Sequence, residues 1–204
     1  GVSTLAPRKI WFDDTVRRLN TEERGQFLGE FKAGDKLLTI TQTGAYKLYN
    51  YSLSSHFEED MIVLEKLNIR KPITAVYWDG DKKQFNVKRF LIEDAEKSIL
   101  FITEHEDSYL ELISSDWRPV IEVVYSKVNG KQKESEKKVA EDLIGVKGYK
   151  ALGNRLSKDK IKMINLLEPL EYEDAEEEGQ QNTDDENDAA DQPQGTIDFD
   201  SNEE

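Results

Sequence analysis

Along most of the chain, apolar and polar residues alternate in short runs of β-branched and aromatic character, and turn residues separate the runs. In DKLLTITQTGAYKLYNYSL, from Asp35 to Leu53, Leu38 and Ile40 fall on one face of a strand. The turn falls at Thr43-Gly44, and Tyr46 and Leu48 resume the alternation. The layout returns in ITAVYWDGDKKQFNVKRFLI with a turn at Asp79-Gly80, and in SILFITEHEDSYLELIS with a turn at His105-Glu106. It returns once more in PVIEVVYSKVNGKQKESEKKV, turning at Asn129-Gly130. Pro72 and Pro119 each stand just before a strand, where a missing N–H is tolerated. In SSHFEEDMIVLEKL, Ser54 or Ser55 offers a helix cap, but a strand over Met61–Leu64 completes the hairpin array and is the preferred reading. KESEKKVAEDLIG admits both a helix ending at Gly145 and an extended segment. Repetition of one hairpin unit at irregular spacing predicts an all-β body over residues 8–170, built as a propeller or another radial array.

Charge divides the chain differently. The formal net charge is −14, yet fifteen of the 42 acids lie in residues 171–204, which contain no Lys or Arg. That leaves 27 acids against 28 bases before Glu171, a near-neutral body. The segment EYEDAEEEGQQNTDDENDAADQPQG lacks the apolar surface to offset its ordering entropy, so residues 171–204 are expected to be a disordered acidic tail. The 37% hydrophobic content suffices for a core, and no run approaches the roughly 18 apolar residues of a membrane helix. No membrane partner and a cytoplasmic location are the expectation. The absence of cysteine excludes disulfides, thiolate metal sites and cysteine nucleophiles. Gly1 reads as a cloning remnant, so the chain is expected to be a piece of a longer protein.

Catalytic chemistry is hard to assemble from these residues. His56 and His105 each lie among acids in loops, and a metal site would need a further ligand from elsewhere. No phosphate loop, dinucleotide fingerprint or serine elbow occurs, and the tail's acids miss the calcium-loop spacing. No catalytic residue and no metal ligand is assigned.

The bases carry more information. From Ser126 to Lys162, eleven of them stand against five acids: Lys127, Lys131, Lys133, Lys137, Lys138, Lys147, Lys150, Arg155, Lys158, Lys160 and Lys162. Gathered on one face, such a set neutralises roughly four to six phosphates, without reading sequence. The glycine-rich stretch GVKGYKALGNRL, Gly145 to Leu156, carries three of these bases; its GVKG is a short match to the phosphate-clamping GxxG loop, and a crowded strand explains its glycines equally well. A second cluster, PRKIWFDDTVRRLN, adds Arg17 and Arg18 beside Trp11 and Phe12, aromatics that fit a core. Two other classes stay open: a protein-interaction propeller in which Trp78 or Trp117 lines a peptide groove, and a single-strand or RNA binder that stacks bases on aromatics.

The run from Arg8 to Leu67, followed by ITAVYWDGDKKQFNVKRF, resembles the C-terminal region of the A subunit of bacterial type IIA topoisomerases. GDKLLTITQTGAYKL resembles the family's blade pattern, and IGVKGYKALGNRL resembles a late blade of the topoisomerase IV member of that family. The resemblance covers about residues 8–165. It implies a β-pinwheel, a propeller-like array of four-stranded blades whose basic rim binds and bends duplex DNA. At about 50 residues per blade, residues 8–170 hold about three blades, a partial pinwheel. The gyrase wrapping box, in which Gln, a basic residue, Arg, two glycines, a basic residue and Gly follow one another, does not occur. That departure favours topoisomerase IV or a weakly wrapping gyrase-like protein. The implied partners are duplex DNA, the ATPase B subunit, plus the remainder of the A subunit. Magnesium and ATP are implied only for the holoenzyme, in the bacterial cytoplasm at the nucleoid.

Overall fold

The computed structural model describes residues 6–173. In chain order its strands begin with β1 (Arg8–Asp13), β2 (Arg18–Asn20), β3 (Gln26–Phe31), β4 (Leu37–Thr41) and β5 (Ala45–Tyr49). They continue with β6 (Met61–Lys66), β7 (Ile73–Asp79), β8 (Gln84–Phe90), β9 (Ile99–Leu100) and β10 (Tyr109–Ser114). β11 (Val120–Tyr125), β12 (Glu136–Val139), the single turn of helix α1 (Ala140–Leu143), β13 (Asn154–Arg155) and β14 (Ile161–Leu166) follow. All strand pairings named below are antiparallel, and they form four small sheets ordered β2-β1-β3, β6-β4-β5-β9, β10-β7-β8-β13 and β12-β11-β14. The fold is an all-β pinwheel of blades.

One rule generates every blade. Two consecutive strands make an inner hairpin, and a third strand pairs outside the first of them. The fourth pairs outside the second, but the chain supplies it only after the next blade's hairpin is built: β9 follows β7 and β8 yet pairs with β5, and β13 follows β11 and β12 yet pairs with β8. Adjacent blades are therefore interlocked. The third strand bulges against the first in all four blades, near Ile10/Trp11, Ile40/Thr41, Leu110/Leu112 and Val124/Tyr125. A bulge sharpens local twist, and this one recurs at the same place in the unit.

The alternation along inner strands distributes side chains between two cores instead of between core and water. On β7, Ile73, Ala75 and Tyr77 pack with Leu38, Ile40, Tyr46 and Phe90 between the second and third blades. Val76 points the other way, into Val87, Ile121, Val123, Tyr125 and Ile164 between the third and fourth. Leu37 joins Ile10, Phe12, Leu19 and Phe31 between the first and second. β4 is consequently buried along its whole length.

Hairpins at Thr43-Gly44, Asp79-Gly80 and Asn129-Gly130 are present, with Asn129 and Gly130 both at positive φ (52° and 74°), as a tight primed turn requires. Met61–Leu64 is strand, and KESEKKVAEDLIG is both things in succession, β12 and then α1. Two expectations are corrected. SILFITEHEDSYLELIS is no hairpin, because its first half closes the second blade through β9 while its second half joins the third through β10. Phe101 and Ile102, buried between those blades, hold that crossing down. Among the described residues the blades number four rather than about three, because the first and last contain three strands each and shared segments shorten the repeat. The described residues up to Leu170 form one compact unit; the acidic-tail reading lies outside the described residues except for 171–173, which have no regular structure.

Candidate nucleic-acid interface

The glycine-rich stretch is the outer edge of the third blade. Lys147 bridges Phe90 in parallel, its N–H donating to the carbonyl of Arg89 at 2.9 Å, and Asn154 and Arg155 pair with Val87 and Asn86. Three to four residues on β8 separate these attachments, roughly 10–13 Å of strand. Lys147, Lys150 and Arg155 are exposed along that edge. Two buried groups of the inner hairpin fasten it from behind. Lys88 Nζ donates to the carbonyl of Tyr149 at 2.5 Å, and the Tyr77 hydroxyl donates to the carbonyl of Leu152 at 2.6 Å.

From Arg155 the chain crosses to the fourth blade. Leu156 is buried and its N–H donates to Phe85; the exposed Lys158 and Lys160 ride on the crossing; Ile161 then opens β14. Beneath this crossing the two blades splay, and the mouth of their shared core opens as a cleft of about 330 Å³. Trp78 and Phe85 form its aromatic wall, while Lys83, Arg155, Lys158 and Lys160 line it on the polar side. The same two aromatics line an adjoining cleft of about 280 Å³ that adds Tyr109, Lys162, Glu111 and Met163. Trp78 meets Phe85 edge-on at 5.0 Å and lies near-parallel to Tyr109 at 6.4 Å. Tyr109 is 46% exposed. Its hydroxyl is pushed up from its ordinary pKa by partial burial and secondarily by Glu111, so it is neutral at physiological pH.

The remaining nominated bases divide. Lys133 is held by Asp159 and Glu136, each at 2.9 Å, and lies over the Tyr125 ring; the hydrogen bonds to Asp159 and then Glu136 raise its pKa. Glu136, bonded by Lys133 and then by the Tyr125 hydroxyl, is lowered to about 2. Lys138 also pairs with Glu136, at 3.4 Å. This cluster removes Asp159 as a bare acid from the cleft. Lys127, Lys131 and Lys137 are exposed on the β11–β12 hairpin, and Ser126 donates to the carbonyl of Lys160 at 2.9 Å, which ties that hairpin to the crossing. Arg17 and Arg18 belong to the first blade, where they grip the chain's own backbone: Arg17 donates to Glu58 at 2.5 Å, and Arg18 reaches Ser54 and Ser55 at 3.4 and 3.5 Å. They fasten residues 54–58 where a fourth strand would lie. His56 sits 3.3 Å from Arg18, and His105 accepts from the N–H of Asp107 in a loop. Among the described residues no three acidic or histidine side chains converge on a metal site, and no helix is long and apolar enough to cross a membrane.

The family model for the topoisomerase C-terminal domain of Bacteroidota matches residues 18–168. The chain belongs to that family. Solved structures similar to it include the C-terminal domain of DNA topoisomerase IV, at 15% identity and a TM-score of 0.49, covering 82% of this chain. The chain spans 63% of that structure's length. No curated protein matches it. In this topoisomerase C-terminal domain, sequence reading missed Lys83, whose membership in the cleft depends on the β7–β8 turn facing a crossing more than 70 residues later. The signal within reach was the Trp-Asp-Gly-Asp-Lys-Lys turn, with an aromatic and two bases on one hairpin tip.

Proposed function

We propose that this domain is a non-catalytic, DNA-holding part of a type IIA topoisomerase, one that grips and bends a duplex segment for ATP-dependent strand passage by the assembled enzyme. The observation that carries this reading is the meeting of Lys83, Arg155, Lys158 and Lys160 around one cleft, continued by Lys147 and Lys150 along the neighbouring blade edge. Exposed lysines on an edge strand contact phosphates without reading bases, which suits an enzyme that acts on any sequence. In this reading the domain contributes position and bending. The reacting tyrosine, magnesium and ATP belong to the B subunit or to the rest of the A subunit. Lacking the wrapping box, the domain works as in topoisomerase IV, in the bacterial cytoplasm. The acidic tail competes with DNA phosphates for the same bases.

A titration of duplex DNA across ionic strength tests the reading. The expected log–log slope is about −4 to −5. Exchanging Lys158 and Lys160 for Glu weakens binding at least about tenfold and flattens the slope by about two. Absence of binding even at low salt would instead favour a protein-interaction module, with Trp78 in a peptide groove.

A further inference from the structure

The basic track and the aromatic cleft differ in what they can admit. Lysines on the blade edge and crossing are exposed and reach the outside of a duplex. Trp78 and Phe85 sit within clefts of about 330 and 280 Å³, the size of a small-molecule site. A duplex roughly 20 Å across is too large to enter a cleft of that volume, whereas a single nucleotide turned out of the stack has the size for it. We propose that this cleft takes an unstacked nucleotide of the bound DNA, its base lying against Trp78 and Tyr109 and its phosphates on Lys83, Lys158 and Lys160. The inference rests on the DNA-holding reading and adds a preferred state of the DNA to it.

Three observations support that occupant. Trp78 and Tyr109 are cross-strand partners on β7 and β10 with an interplanar angle of 18°, so a base laid parallel to one ring is parallel to both. Apolar side chains alone would suit many ligands, but the cleft beside them is lined by four bases against one acid, and that acid, Asp159, is bonded to Lys133. This charge fits a ligand that is planar and anionic together. The adjoining cleft carries one acid and one base, Glu111 and Lys162, beside Trp78 and Tyr109, whereas the first carries four bases, so the backbone is drawn to the Lys158–Lys160 side and the base is left to the Trp78–Tyr109 side. A kinked duplex offers such a nucleotide at low cost, since bending has already unstacked the step.

The test compares three labelled DNAs of equal length at one salt concentration: an intact duplex, the same duplex with a single-nucleotide bulge, and a single strand. The bulged duplex is expected to bind about five- to tenfold more tightly than the intact one, the low end of what one stacked base contributes. Tyr109→Ala, at an exposed position, removes that preference while leaving affinity for the intact duplex within about twofold. Trp78→Leu does the same, with thermal unfolding as the check that β7 is intact. Equal binding of bulged and intact duplex overturns the inference and leaves the DNA-holding reading in place, as does a preference that survives Tyr109→Ala. Failure of all three DNAs to bind overturns both.

Discussion

Lys88 is 2% exposed and faces no carboxylate; its ammonium donates only to the carbonyls of Phe101 and Tyr149. Burial lowers its pKa to about 8 from 10.5. Between those two values the unfolded chain holds more protons than the folded one, so stability rises with pH across that window. The gain is about 2 kcal/mol between pH 7.5 and 9.5. Urea unfolding at the two pH values is expected to record it in the wild type and not in Lys88→Met, which at pH 7.5 also loses about 2 kcal/mol for two stranded carbonyls. An equal pH response in the two proteins would mean that Lys88 is not the titrating group. Nothing in VKRF announces this lysine as buried. Alternation alone assigns Lys88 and Phe90 to one face, and that face is interior because a neighbouring blade covers it.

At the scale of elements, the glycine-rich edge separates two reasons for glycine. Gly153 has φ +85°, and a Cβ there would lie 2.2 Å from the carbonyl oxygen of Val87, so it is required where β13 closes on β8. Gly145 and Gly148 have open space around them and no positive φ. Gly153→Ala should therefore cost about 2–3 kcal/mol and expose the edge to hydrogen exchange, whereas Gly148→Ala leaves stability within about 0.5 kcal/mol. A loss of DNA affinity in Gly148→Ala at unchanged stability would give the GxxG match a functional meaning. Three of the four inner hairpins were legible because each is local: Leu38, Ile40, Tyr46 and Leu48 carry their alternation on both sides of one turn, whereas the short β1–β2 hairpin, with only three residues in β2, was not read. β9 and β13 were not. Each is two residues long, and its partner is fixed by which earlier blade still has an open edge when the chain returns.

For the whole molecule, the separation of charge is the property with the clearest consequence. The near-neutral body ends in a segment where bases outnumber acids eleven to five, and fifteen acids follow in residues 171–204. Under the proposed function, a segment tethered at an effective concentration of about millimolar would be a competitor of DNA phosphates. Removing residues 171–204 should raise duplex affinity at low salt about tenfold or more and have little effect above about 0.3 M, where screening weakens both partners. Unchanged affinity at low salt would make the tail a bystander. Composition and alternation by themselves determined that this chain is all-β, built of repeated hairpins, with a basic late segment and an acidic end, because each of those properties is local in sequence or a plain sum over it. Only the tertiary structure decided that alternate residues of one strand serve two cores, that each blade borrows its closing strand from beyond the next, and that Lys83 meets Lys158 beside Trp78. Those relations join positions far apart along the chain, and the packing of blade on blade is what brings them together.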